Sequence, residues 1–454
     1  MEKLPKAQTL NMRKHFLCNS CTLFFDKEPL KIVKASKEFM YDEEGNKFLD
    51  CINNVAHVGH CHPHVVSEGT KQMSLLSTNT RFLHDNLVIL AERIASTLPS
   101  SLSVVYFVNS GSEANDLALR LARSYTESNE VITLDHAYHG HLTSLIEISP
   151  YKLYSLSKAS DFYSCPPYVH IVPCPDVYRG KYQDCNFPEN ADLGQMYADE
   201  IKSVVDALAK EGKKPACFIA ESLQSCGGQI IYPEGYMNKA FQYVRDAGGL
   251  CIADEVQVGF GRVGSHMWAF ETYGVIPDIV TMGKPMGNGH PVSAVVTTAE
   301  VSAAFHSLGT SYFNTFGGNP VSCAIALAVM DVIENEELLK NAQEIGSYLL
   351  SKLNDLKSKY SIIGDVRGIG LFIGIDLVLD RTSREPATDK ASQIINSLMK
   401  KHHIILSRDG PYSNVLKFKP PMCFNKDDAV LLLEKLEEAL IESQESVSTK
   451  ANAL

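Results

Sequence analysis

Lys284 closes the apolar stretch Pro277-Asp278-Ile279-Val280-Thr281-Met282-Gly283, and Asp254 closes another, Gly249-Leu250-Cys251-Ile252-Ala253. Two buried strands that end this way bring an amine and a carboxylate to one sheet edge. A lysine held there, partly desolvated, is available for Schiff-base chemistry. A third element precedes both. Val104-Val105-Tyr106-Phe107-Val108 runs into Asn109-Ser110-Gly111-Ser112 and then into the helical pattern Asp116-Leu117-Ala118-Leu119-Arg120-Leu121-Ala122-Arg123. A strand, a turn with glycine and a helix N-terminus offer free backbone N–H groups and a positive dipole end to a phosphate, here through Gly111 and Ser112. An ordinary serine-capped helix reads the same way in isolation.

Together the three elements meet the needs of pyridoxal phosphate, whose aldehyde requires a lysine and whose pyridine nitrogen requires a carboxylate to keep it protonated. No G-x-G-x-x-G is present, so a dinucleotide fingerprint is not the reading. Tyr138 follows the strand-like Val131-Ile132-Thr133-Leu134 and can stack on the pyridine; His139 and His141 beside it stay ambiguous. Gln257, just past Asp254, is placed to donate to the ring oxygen. Thr315 sits in Phe313-Asn314-Thr315-Phe316-Gly317-Gly318-Asn319-Pro320, a loop rich in backbone donors that can reach a phosphate in a neighbouring subunit.

The ordered set Asn109 to Ala114, Tyr138-His139-Gly140, Asp254 to Arg262, Lys284 and Thr315 to Pro320 resembles the class III, or omega, aminotransferases of pyridoxal-phosphate fold type I. Within them it is most similar to the alanine-glyoxylate aminotransferase 2-like branch, which includes phospho-lyases acting on ethanolamine phosphate and on 5-phosphohydroxy-lysine. The stretches Asn53 to Pro63, Glu221 to Ile230 and Lys417 to Cys423 carry that likeness. The resemblance implies Lys284 as the lysine that bonds the aldehyde, Asp254 as the pyridinium partner and Tyr138 as the stacking ring. It implies Gly111 and Ser112 as the phosphate turn, Gln257 near the ring hydroxyl, Glu221 as a carboxylate close to the cofactor and Thr315 as a phosphate ligand lent across a homodimer or a dimer of dimers. It also points to the mitochondrial matrix, although no transit peptide is evident and the cytosol stays open.

Two departures from the family pattern bear on the substrate. Members that transaminate amino acids resemble Leu-Arg-Phe-x-Pro-Pro near the C-terminus, the arginine forking onto a carboxylate, whereas this chain has Leu416-Lys417-Phe418-Lys419-Pro420-Pro421. Many carry a glutamate where Cys226 stands. A lysine is a compact point charge suited to a tetrahedral dianion, and without the glutamate Lys417 is expected to be unpaired. A phosphomonoester carries about −1.5 to −2 charges at pH 7. Lys417, assisted by Lys419, Arg408 or Arg262, would then favour an aminophosphate. The competing reading is two lysines alternating along a solvated edge strand.

The expected activity is therefore a phospho-lyase releasing phosphate and ammonia from a vicinal aminophosphate, phosphoethanolamine first and 5-phosphohydroxy-lysine second. An aminotransferase using pyruvate or glyoxylate is the alternative. A carrier of cofactor without turnover is disfavoured by the presence of Lys284, Asp254 and Tyr138.

With 454 residues, 45% of them hydrophobic and 21% charged, the chain belongs to the ordinary globular class and can bury a large core. Its net charge of −11 and lack of a basic block argue against a nucleic-acid partner, and no apolar run approaches a membrane span. The secretory h-region is missing as well. Twelve scattered cysteines read as reduced thiols, and Cys18-x-x-Cys21 has no second pair. His57, His60, Cys61, His62 and His64 match the family's Gly-His-x-His-Pro loop, so no metal is expected.

Apolar runs near 103–108, 130–134, 168–173, 216–221, 249–254, 278–282 and 292–297 alternate with helical patterns, predicting an α/β fold with a mostly parallel seven-stranded sheet. A hairpin is expected about Glu44-Gly45. Residues 1–58 are expected to join a smaller α+β lobe formed by 325–454, with 59–324 as the cofactor domain.

Overall fold

A computed structural model describes residues 2–159, 164–309 and 311–451. Each of the seven apolar runs forms a strand of one sheet. Its order is Val104–Val108, Ser293–Thr297, Ile279–Met282, Leu250–Asp254, Pro215–Glu221, Glu130–Leu134 and Val169–Val172. Ser293–Thr297 is antiparallel to both neighbours, and the other pairings are parallel.

The runs are continuous because the sheet is covered on both faces. Cys217, Ile219, Leu250 and Ile252 pack on the side of the helix Gly111–Thr126. Phe218, Ala220, Cys251 and Ala253, their neighbours in sequence, join the larger core that includes the helices Leu193–Lys210 and Tyr236–Asp246. Period-two alternation thus assigns each strand residue to one of two apolar layers.

Two four-stranded sheets lie outside this one. Ile32–Ser36, Phe39–Asp42 and Lys47–Asp50 form a meander to which Ile404–Ile405 adds in parallel, so the beginning of the chain pairs with its C-terminal part. The expected hairpin is present: the Asp42 carboxylate accepts from the N–H groups of Glu44 and Asn46, and Gly45 takes the left-handed φ of 89°. The other sheet is antiparallel, ordered Ile363–Ile369, Phe372–Leu377, Val415–Phe418 and Ser407–Asp409. Among the described residues no helix is long and apolar enough to cross a membrane.

Candidate active site

Register brings the chemistry together. Glu221 pairs with Asp254, and Asp254 with Thr281, three residues before Lys284. The carboxyl ends of these parallel strands therefore open on one crevice. A cavity of about 350 Å³ lies there, lined by Lys284, Asp254, Tyr138 and Glu221, and closed by Gln257 and the turn Ser110-Gly111-Ser112.

One packing point ties three of these elements together. A Cβ on Gly111 would stand 2.5 Å from Val256 Cγ1, and one on Gly283 would stand 2.9 Å from the same atom. Val256 follows Asp254 by two residues and Gly283 precedes Lys284. The phosphate turn, the carboxylate strand and the lysine thus meet on a single valine, an approach that only glycine allows.

Asp254 is fixed on both oxygens. Oδ1 accepts from Val256 N at 3.0 Å, and Oδ2 accepts from Asn115 Nδ2 and from His139 Nδ1, each at 2.8 Å. A carboxylate so held is oriented with no freedom to turn from the cavity. Burial lowers the Lys284 amine below its usual range, although Asp254 pulls the other way. Glu221 receives N–H groups from Tyr138 and Ser225; burial, then the neighbouring Asp254, push it up to about 7.

Ser110 caps the helix by accepting from Glu113 N, which leaves the N–H groups of Gly111 and Ser112 at the cavity. Ser112 Oγ itself accepts from His141 N, joining the turn to the segment that carries Tyr138. The donor set fits pyridoxal phosphate: an amine with a depressed proton affinity, a fixed carboxylate, an aromatic wall and a helix N-terminus converge on one space.

Five expected residues, Arg262, Arg408, Lys417, Lys419 and Thr315, do not line this cavity. Arg262 is fully buried, donating to the backbone carbonyls of Leu371 and Pro420 and to His57 Nδ1. It is fully enclosed and does not line the Lys284 cavity, so it is no substrate cation there; burial drops it to about 9. Arg408 is corrected too. It pairs with Leu416 across the strands, whereas Lys417 pairs with Ser407, and opposite residues share a face. Alternation sends Arg408 to the other side, into a separate cavity of about 530 Å³ beside Phe24 and Phe25.

The expectation of an unpaired Lys417 fails. Its Nζ donates to Asp409 Oδ2 at 2.8 Å; burial works to lower the ammonium, but Asp409 prevails and raises it. Nor do Lys417 and Lys419 both point to solvent, since Lys419 is only 1% exposed. Thr315 is exposed and lines a third cavity of about 460 Å³ that shares Asn109, His290 and Pro291 with the Lys284 cavity.

Sequence reasoning left His139 ambiguous and missed Asn115 and Asp409. The first neighbours Tyr138 and the second stands one helical turn after Gly111, so both carried a positional signal. Asp409 carried none. The histidines of the 57–64 stretch diverge to separate partners: His57 to Phe260 O, His60 to Asp50, His62 to Glu336 and His64 to Asp331. Among the described residues no cluster of His, Cys, Asp and Glu is arranged to hold a metal ion.

Comparison with known proteins extends this picture. Residues 25–440 match the family model described as aminotransferase class-III. A Drosophila melanogaster protein named alanine–glyoxylate aminotransferase 2-like is 56% identical over 439 residues, covering 97% of this chain and 88% of its own length. A Caenorhabditis elegans protein named ethanolamine-phosphate phospho-lyase homolog 1 is 48% identical, covering 96% of this chain and 93% of its own. Among solved structures, an Arthrobacter phospholyase in complex with phosphoethanolamine superposes with a TM-score of 0.88 at 38% identity, covering 95% of this chain and 99% of that one.

Proposed function

This chain belongs to the class III aminotransferase family, and from that premise we propose that it is a pyridoxal-phosphate-dependent phospho-lyase that converts phosphoethanolamine to acetaldehyde, ammonia and phosphate. The observation that carries the reading is the convergence of Lys284, Asp254 and the Gly111-Ser112 helix start on one cavity. The choice of substrate draws on the relative named as an ethanolamine-phosphate phospho-lyase and on the fold's likeness to a phospholyase holding phosphoethanolamine.

Bound pyridoxal phosphate supplies an aldehyde for the substrate amine and a protonated ring that withdraws electrons from the adjacent carbon. This chain's own groups would do the rest. The backbone N–H groups of Gly111 and Ser112 would hold the cofactor phosphate. Asp254, fixed by His139 and Asn115, would keep a proton at the ring nitrogen. Tyr138, in the cavity wall, would cover the ring. Lys284, its proton affinity lowered by burial, removes the proton from the carbon that bears the substrate nitrogen. Phosphate then leaves the neighbouring carbon with the bonding electron pair, and water completes the release of ammonia and aldehyde.

The active unit we propose is a homodimer. Thr315 sits on an exposed loop beside apolar Phe313 and Phe316, and its cavity adjoins the Lys284 cavity, so a second copy could lend it to the cofactor phosphate.

An aminotransferase using pyruvate or glyoxylate is the second reading, favoured by the name of the Drosophila relative. Protein loaded with pyridoxal phosphate is mixed with phosphoethanolamine and no keto acid, and phosphate and ammonia are assayed together. Equal release, abolished in Lys284→Ala, is the expected result. No release, but alanine or glycine formed once a keto acid and an amino donor are supplied, would establish the aminotransferase instead. Release from 5-phosphohydroxy-lysine alone would keep the lyase and change its substrate.

A further inference from the structure

Lys419 is among the most deeply buried side chains of the protein, and among the described residues it forms no ion pair. Its Nζ donates to Gln257 Oε1 at 2.6 Å and to Ser225 Oγ at 2.6 Å. Ser225 in turn donates its hydroxyl proton to Gln229 Oε1 at 3.1 Å and its N–H to Glu221 Oε2 at 3.1 Å, so its own position is set from two sides. Burial, then the neighbouring Lys417, hold the proton affinity of this amine well below its usual range, and an apolar residue would fill the space at lower cost. What the lysine adds is direction.

A side-chain amide is a donor at one end and an acceptor at the other, and the two ends have the same shape. A lysine beside it breaks that symmetry because it arrives with N–H groups. We propose that Lys419 is a positioning residue that locks the amide of Gln257 with its oxygen turned away from the cavity and its Nε2 turned toward it. Gln257 is thereby committed to donate to an oxygen anion in the cavity. This rests on the cofactor reading above, in which that anion is the ring oxygen of pyridoxal phosphate. The amide stays locked before any ligand enters, so the donor needs no reorganisation on binding.

A lock differs from a field. If Lys419 acts only through its charge, removing it alters the site whether or not Gln257 is present. If it acts by orienting Gln257, its removal matters only while Gln257 is there. The discriminating quantity is the pH midpoint of the visible absorption band of the protein loaded with pyridoxal phosphate, read for wild type, Lys419→Met, Gln257→Leu and the double variant. A donor to the ring oxygen favours its anionic form and holds the midpoint down, so Gln257→Leu is expected to raise it by roughly 0.5–1 unit. Lys419→Met should reproduce most of that rise, and the double variant should rise no further than Gln257→Leu. Lys419→Gln, which keeps an N–H donor, should fall nearer to wild type, and it serves if the methionine variant does not fold.

A wild-type midpoint in Lys419→Met, or shifts that add in the double variant, would overturn the lock while leaving the cofactor reading intact. Absence in the wild type of a visible band that depends on Lys284 would remove the cofactor reading, and the lock with it.

Discussion

The strand ends of the large sheet and the strand Val415–Phe418 of the smaller lobe both present charged side chains at the mouth of a crevice, yet they behave differently. Asp254, Glu221 and Lys284 follow apolar runs, and backbone register alone aligns them. Lys417, Lys419 and Arg408 sit on neighbouring antiparallel segments where alternation and long side chains decide the outcome. Lys417 finds Asp409, Lys419 finds Gln257 and Ser225, and Arg408 turns to the opposite face. Position on a parallel sheet edge is therefore a safer guide to chemistry than charge on a short strand.

The comparison can be broken most forcefully at its first half. Asp254→Asn keeps the shape but removes the charge that holds a ring proton, so the rate of phosphate release should fall by roughly 10²–10⁴-fold. A loss under tenfold in steady-state assays would show that register alone does not assign the role.

Gly111→Ala tests the common packing point. The added methyl meets Val256 Cγ1 at 2.5 Å, and overpacking of this kind costs about 1–3 kcal/mol. Thermal melts should show that loss, and titration of pyridoxal phosphate should show weaker binding. Unchanged values in both would mean that the three elements are not rigidly coupled.

Glu221 gives a pH signature. Burial and Asp254 raise its carboxyl from 4.5 to about 7, so between those values the folded protein binds more protons than the unfolded chain. Stability must then fall as pH rises through that window, by an amount on the order of 2–3 kcal/mol if no other group compensates. Chemical denaturation of the protein without added cofactor, at pH 5 and pH 7, should show the decline, to which Glu255, pushed up to about 7 by burial, and Asp428, pushed up to about 6, add in the same direction, and Glu221→Gln should make it shallower. An equal slope in the variant would assign the decline to other groups.

The smallest effect belongs to the second region. Arg408→Ala should leave phosphate release unchanged and stability within about 0.5 kcal/mol, because its guanidinium makes only long contacts to the carbonyls of Thr388 and Ser413. A substantial rise in KM would restore Arg408 to the substrate site.

Legibility followed the same division. The seven strands, their mostly parallel pairing and the hairpin at Glu44-Gly45 could be anticipated because a sheet covered on both faces needs unbroken apolar runs and a tight turn needs particular residues. The convergence of Lys284, Asp254 and Gly111 was legible too, since each follows directly from where a strand stops. Asp409 was not, because nothing in the spacing of two residues on adjoining strands tells which of several acceptors a lysine will reach. Arg262 misled for the opposite reason: it closely follows Asp254, but the chain between them turns beneath the smaller lobe and takes the guanidinium with it.

What the sequence alone determined is the set of groups delivered to one sheet edge, because hydrophobic periodicity governs where strands begin and end. What only the tertiary structure decided is which of the outlying cations keep their charge available and which are neutralised or buried. Periodicity is local and survives in any window of the chain, whereas a buried charge is defined by its neighbours, and those neighbours come from other strands and segments that only the folded chain brings alongside.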